Sequence, residues 1–567
     1  MQSMQSNARE YDYIIVGAGS AGCVLANRLT EDRSCRVLLL EAGGWDYDPR
    51  IHVPLAIGTL YGKGKYDWGY EVEPEPALDG RRVELARGKV IGGSGSINVM
   101  AYVRGHRGDY DRWAASGLLD WSYAHALPYF RKAETWEDGA SEYRGGEGPL
   151  GTMRTRFTDP LIEAFVAAGQ QLGQPVTGDF NAAQQEGFTT PQSTIRNGRR
   201  SSPATAYLRP ALTRSNLTVL TRVLATRVLM RNDGQGLRAV GIEYRQHGQL
   251  HQVQARAEVI LSGGAVNTPQ LLLLSGIGDP SLLSPHGIAV NHALPGVGRN
   301  LQDHLSVGVA WQRKQPGTFF HQMRLDRMAL AMLRAWAFGT GPGTMLPGGL
   351  TAFLKATPAS PVPDYQLLFR AVPEGAQPYF PGLRAPYQDG FSCRSVLLHP
   401  QSRGWLSLRS ADPAAAPKVQ QNFLATERDR QLIRDGVRLV REIGRQSALA
   451  EHIAQELRPG AIGDSDAEID AFIRRTALTA HHIACTCRMG LENDADAVVD
   501  PQLRLRGMQG LRVIDASVMP DLVSGNINAA VLMIAERAAD LVRGRTPLPP
   551  LAPAPAPASA VSAPMPA

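Results

Sequence analysis

Residues 11–29 read YDYIIVGAGSAGCVLANRL, and eight residues further on 37–41 read VLLLE. The apolar, β-branched run at 11–16 spells a short strand, GAGSAG a tight turn, and the apolar spacing of CVLANRL a helix. VLLL is a second buried strand, ending at Glu41. Strand, turn, helix and strand in so short a span make a parallel βαβ unit. Gly17 permits the turn, Gly19 lets the backbone approach a pyrophosphate, and Gly22 lets the helix pack on the strand, while the helix N-terminus offers free N–H groups to phosphates. Glu41 stands where a carboxylate accepts hydrogen bonds from ribose hydroxyls, which turns a common glycine pattern into a dinucleotide-binding one.

Two later segments extend the same layer. EVILS at 258–262 runs into the helical TPQLLLLSG, and LRVI at 511–514 precedes a helix at 528–542. Between them, PDYQLLFRAV, GFSCRSVLLHP and GWLSLRS alternate like strands of an antiparallel sheet. The expected fold is therefore α/β, α+β overall, with a discontinuous Rossmann-like nucleotide domain and an inserted antiparallel-sheet domain. The expected boundaries put the nucleotide domain at 1–155, 212–308 and 481–545, and the inserted domain at 156–211 and 309–480. Residues 546–567, rich in Pro and Ala, read as a disordered tail. The helical stripe within 425–444 reads as a surface helix packed on the core. For 324–338, Leu325, Met328, Met332, Leu333 and Trp336 share a face, which favours a core-facing helix over a lid or a membrane contact.

The 567 residues give room for two large domains, and 43% apolar with 20% charged residues is an ordinary globular balance. The net charge of +6 comes without any dense Lys/Arg run interleaved with aromatics, which argues against nucleic acid as a partner. Five scattered cysteines do not form a disulfide framework and fit a reducing, cytoplasmic setting. No run approaches the ~20 apolar residues of a membrane span, and MQSMQSNARE has no export-signal character.

RGKVIGGSGSIN at 87–98 holds too little apolar mass to be core, so it is either a backbone exposed for contact or a plain surface loop. GGAVNTPQLLLLSGIG at 263–278 reads as packing against the dinucleotide site. In HHIACTCRMG at 481–490, Cys485 and Cys487 lie too close for a zinc site or an unstrained disulfide, so no metal is expected and both remain thiols.

These stretches together, with VSGNINAAV at 523–531, resemble the glucose-methanol-choline family of FAD-dependent oxidoreductases across nearly the whole chain. EVEPEPALDGRR, EYRGGEGPL and GVGRNLQDH bring it nearest in look to that family's choline and bacterial alcohol dehydrogenase branch. The resemblance implies non-covalent FAD, since the residue matching a covalently attached histidine is Ile97. By matching position it implies that Gly17, Gly19, Ser20, Ala21 and Gly22 hold the pyrophosphate and that Glu41, with Ala42, meets the adenosine ribose. Ala225 would meet the adenine. Gly88, Gly93, Ser94, Gly95, Asn98, Met100 and Ala101 would run beside the flavin, with Asp515, Ala516 and Asn528 closing its other end.

The resemblance also places the active-site histidine at His482 and its partner at Asn526. Alcohol oxidation needs a base near neutral pKa to take the hydroxyl proton as hydride leaves for flavin N5, and a neighbour to steady the oxygen. In choline-acting relatives the second residue after QDH is a glutamate; here it is Ser306. A cation would be left without its charge partner. The expected activity is thus an FAD-dependent alcohol dehydrogenase or oxidase acting on CH–OH donors, with a neutral aliphatic or aromatic primary alcohol as substrate and dioxygen or a quinone as acceptor. The alternatives are a choline dehydrogenase, a flavin-bearing hydroxynitrile-lyase-like enzyme and a non-catalytic FAD-binding protein. Peripheral membrane contact is open to it, and the sequence carries no signal for oligomeric state.

Overall fold

β1 (Tyr11–Val16) leads through the glycine turn into α1 (Ser20–Leu29), and β2 (Val37–Glu41) returns parallel to β1 with Tyr13 opposite Val37 and Val16 opposite Leu40. This is a computed structural model, describing residues 10–60, 64–232, 234 and 236–552. Gly17 sits at φ +101°, and a Cβ at Gly22 would stand 1.9 Å from the Gly17 carbonyl oxygen. The helix can approach the turn this closely only with glycine at both positions. All five residues of β2 are buried, as befits a parallel strand covered on both faces.

The sheet continues through β3 (Leu217–Thr221), β4 (Leu224–Asn232), β5 (Leu237–Gln246) and β6 (Gln249–Leu261) in the order β3-β2-β1-β6-β5-β4. β6 starts antiparallel to β5 and ends parallel to β1, and the strand Leu511–Val513 joins its far end. One long strand thus couples an antiparallel meander to the doubly wound part. α2 (Gly264–Leu274) follows β6 as the sequence implies. The C-terminal helix Asn528–Val542 packs against α1 and the helix Tyr123–Ala133. It buries Glu536, whose charge is met by Arg28 Nη2 at 2.7 Å and the Tyr207 hydroxyl at 2.9 Å.

The second large sheet is antiparallel throughout. It contains β7 (Leu305–Arg313), β8 (Gly349–Leu354), β9 (Tyr365–Arg370) and β10 (Gly390–Leu397), in the order β7-β10-β9-β8. Ile453–Arg458 and Leu478–Thr479 pair with β7, and Gly187–Thr189 with β8. Both sheets are therefore assembled from separated stretches of chain, which is the discontinuous α/β arrangement that the strand patterns imply.

Among the helices of this half are α3 (Leu325–Phe338) and α4 (Glu427–Arg445). α4 covers one face of the second sheet with Ile433, Val437, Val440 and Ile443 buried and Leu432 and Leu439 half-buried, and its first turn is capped by the Thr426 hydroxyl. α3 departs from the core-facing reading. Only Ala335 is fully buried, against a small cluster with Val53 and Ala56, while Leu325, Leu333 and Trp336 are exposed. The body offers that helix only a narrow apolar strip. Residues 546–552, at the start of the Pro/Ala segment, run along the helix Tyr123–Ala133, with Leu551 N–H donating to the Ala124 carbonyl and Leu548 N–H to the Tyr129 hydroxyl. Residues 553–567 of that segment lie outside the described residues.

Candidate active site

The first sheet, the 87–101 segment and the free face of the second sheet enclose one cavity of about 710 Å³. Gly17, Gly19, Ser20, Ala21, Glu41, Ala42, Gly88, Gly93, Ser94, Asn98, Ala101, Ala225, Asp515, Ala516, Asn526, Asn528 and His482 all line it. Gly22, Gly95 and Met100 do not; they pack behind the lining, Gly22 on the Gly17 carbonyl, Gly95 against Pro203, and Met100 fully buried with its carbonyl accepting from Thr194 N–H.

The cofactor end is built from turns and helix starts. α1, α2 and the C-terminal helix all present their first residues, Ser20, Gly264 and Asn528, to the cavity. Ser20 Oγ donates to Asn528 Oδ1 at 2.7 Å, tying two of these N-termini together. A Cβ on Gly93 would lie 2.7 Å from the Gly19 Cα, so two glycine turns close on each other only because both lack side chains. Glu41 accepts from Ala18 N–H at 2.9 Å and Gly43 N–H at 2.7 Å, and burial pushes its carboxyl up to about 7 against those two bonds. Asp515 accepts from Gly264 N–H at 2.8 Å and the Thr268 hydroxyl at 2.6 Å, which fixes the β6–α2 turn. Helix N-termini for phosphates, a carboxylate for a ribose and an elongated cavity between two layers fit a dinucleotide.

The reacting end centres on His482. Its backbone N–H donates to Asp303 at 2.7 Å, its Nδ1 lies 2.8 Å from His304 Nδ1, and its Nε2 lies 3.0 Å from Asn526 Nδ2. His304 Nε2 lies 2.9 Å from the Leu398 carbonyl oxygen. A carbonyl only accepts, so His304 carries its proton on Nε2. Burial holds His304 down to about 3, hence neutral, and its Nδ1 is then an acceptor. His482 must therefore donate from Nδ1, leaving its Nε2 lone pair toward Asn526. Burial, then the neighbouring His304 and Arg87, push the His482 imidazole well below its usual value. The ring is therefore neutral.

Asn526 is held by the turn before it: Ser524 N–H and Oγ donate to the buried Asp109 at 2.7 and 3.1 Å. Asn526 Oδ1 has no hydrogen-bond partner among the described residues, so this buried amide has capacity left for a ligand. Over this end lies one face of the second sheet. Ser306, Gln366, Leu368, Arg370, Arg394 and Val396 all line the cavity, with Arg394 opposite Gly308 on β7 and Leu368 on β9. Trp68 lines the cavity as well, stacked on Tyr70 at 5.7 Å.

Sequence reasoning brought His482 and Asn526 together but did not assign roles to Asp303, His304, Arg370 and Arg394. The QDH triplet carried a signal for the first two. The arginines sit in apolar strands whose alternation shows that they share a face, not which face meets the cavity.

Comparison with known proteins agrees with this architecture. The N- and C-terminal family models described as GMC oxidoreductase match residues 11–306 and 400–535. The chain belongs to the GMC oxidoreductase family. Mitochondrial choline dehydrogenase of Homo sapiens is 47% identical over 550 residues, 95% of this chain and 91% of that protein. Oxygen-dependent choline dehydrogenase of Photobacterium profundum is 44% identical over 544 residues, 95% of this chain and 94% of that protein. The crystal structure of pyridoxine 4-oxidase from Mesorbium loti superposes with a TM-score of 0.84 at 34% identity, covering 94% of this chain and all of that one. GMC oxidoreductases are FAD-binding enzymes acting on CH–OH donors, and this chain is such an enzyme. None of the helices among the described residues is long and apolar enough to cross a membrane.

Proposed function

We propose that this GMC oxidoreductase oxidises a neutral primary alcohol, aliphatic or aromatic, to its aldehyde. FAD held without a covalent bond at the cavity's glycine-turn end supplies the acceptor for the hydride that leaves the carbinol carbon. Gly17, Gly19, Ser20, Ala21, Glu41, Ala225 and Asp515 are the residues that would hold it, and Ile97, which lines the cavity, offers no attachment atom. His482 Nε2 takes the hydroxyl proton. Asn526 Nδ2, already within hydrogen-bond reach of that nitrogen, donates to the same oxygen and steadies its growing negative charge. His304 keeps the base in the correct tautomer.

One observation carries the substrate reading: the sheet face over the reacting end presents Ser306, Arg370 and Arg394 and no carboxylate. Glu374, which pairs with Arg394, lies outside the lining and is shared with Arg458, so one negative charge serves two positive ones. A trimethylammonium head would meet like charge there, at a cost of several kcal/mol if unpaired (about the scale of other buried single charges). The similarity to choline dehydrogenases therefore supports the reaction type more than the substrate.

Anaerobic mixing with benzyl alcohol, medium-chain alcohols and choline tests the reading. Bleaching of the oxidised-flavin absorbance, fastest with the neutral alcohols and lost in His482→Ala, is the expected result. Choline turning over faster than the neutral alcohols would overturn the substrate assignment. No bleaching with any alcohol would overturn the oxidation itself in favour of the lyase chemistry.

A further inference from the structure

Two surface features lie side by side, and the chemistry above uses neither. On α3 the side chains of Leu325, Leu330, Leu333, Trp336 and Phe338 are 42, 67, 57, 52 and 77% exposed. Five large apolar groups facing outward on a helix of 14 residues are far more than scattered surface exposure supplies. Leu330, Leu333 and Trp336 follow one another at three-residue spacing along one stripe, and Arg327 and Arg334 flank it.

The second feature is a cleft of about 1330 Å³ that Trp336 itself lines. Seven Arg and Lys side chains line it against a single carboxylate, Glu147. Arg28, Lys132 and Arg209 are met by Glu536, Asp540 or Asp46. Arg131, Arg196 and Arg199 have no carboxylate partner among the described residues. Arg199 Nη2 donates to the Trp336 carbonyl at 2.7 Å, and Gly198 backs directly onto the Gly339 carbonyl, so the cations abut the C-terminal end of α3.

We infer that the outer face of α3 and this arginine cleft form one surface that rests on an anionic phospholipid bilayer. An apolar helical face with Trp and Phe suits the acyl boundary, and three guanidiniums with no carboxylate partner among the described residues, Arg131, Arg196 and Arg199, suit lipid phosphates. Two-fold pairing with a second copy would cover the apolar face but bring the cation surpluses together, which disfavours that occupant. The helix lies in the interface and does not cross it. Residues 346–348, eight to ten positions beyond the end of α3, line the active-site cavity, so this surface and that site are joined by a short stretch of chain.

Flotation of the full-length, FAD-loaded enzyme with phosphatidylcholine vesicles, with and without phosphatidylglycerol, tests this. The bound fraction rises about tenfold or more with the anionic lipid and falls back in about 0.5 M salt. Leu333→Ser with Trp336→Ser, and separately Arg131→Gln with Arg196→Gln, each remove most of that binding while turnover of a short water-soluble alcohol and the melting temperature stay as in the parent. Absence of binding to anionic vesicles, or equal binding by both variants and the parent, overturns the inference. So does conversion of a dimer to a monomer by the Leu333/Trp336 variant without vesicle binding in the parent, which makes the face an interface between copies.

Discussion

Glu41 and His304 show how a single side chain sets the chemistry of a shared cavity. The Glu41 carboxyl is pushed up to about 7 by burial, and a ribose hydroxyl donates more strongly to its ionised form than to the neutral acid. FAD should therefore bind more weakly as pH falls through about 7, because protonation replaces a charged acceptor with a weaker neutral one; titration of flavin fluorescence from pH 8 to pH 5.5 measures it. Glu41→Gln, which accepts at every pH, flattens that dependence, and an unchanged slope in the variant contradicts the assignment. His304 accepts the His482 proton and donates to Leu398, so His304→Leu leaves a buried donor and a buried carbonyl without partners. At about 1–3 kcal/mol this lowers kcat some ten- to hundredfold. His304→Gln, which can accept and donate in the same two directions, recovers most of the loss, and failure of both variants alike would reduce His304 to a packing residue.

At the scale of elements, strand alternation decides which side chains line the cavity above His482. β7, β9 and β10 lie in register so that Ser306, Leu368, Arg370, Arg394 and Val396 face the cavity. Ser306 Oγ donates to the Leu478 carbonyl at 3.1 Å and lies 3.4 Å from Arg394 Nη1. Ser306→Glu places a carboxylate at that point, and the ratio of choline to benzyl alcohol kcat/KM should rise about tenfold, roughly one charge contact. An unchanged ratio in steady-state assays would show that the substrate's head group lies elsewhere. The strands themselves were legible from the alternation in PDYQLLFRAV and GFSCRSVLLHP, and α4 from its apolar stripe. The exposed side of α3 was not: an amphipathic helix states that it has an apolar stripe, not whether the body has room to cover it.

For the molecule as a whole, the cavity lies between a mixed sheet and an antiparallel one, so a cofactor bound there touches both halves. Stripping FAD should lower the melting temperature, and adding it back at about 100 times its Kd should restore about 2.7 kcal/mol, read by calorimetry. A melting temperature indifferent to FAD would mean that the cavity does not receive it. The sequence by itself determined the βαβ opening, the glycine turn, Glu41 and the two-sheet architecture, because spacing and apolar period act over a few residues of neighbouring chain. Only the tertiary structure decided that His482 meets a histidine 178 positions away, and that this contact leaves the Nε2 lone pair toward Asn526. It alone decided, too, that two arginines line the cavity and that α3 turns its leucines outward. Such facts arise where distant segments compete for the same space and the same hydrogen-bond partners, and no local pattern records the outcome.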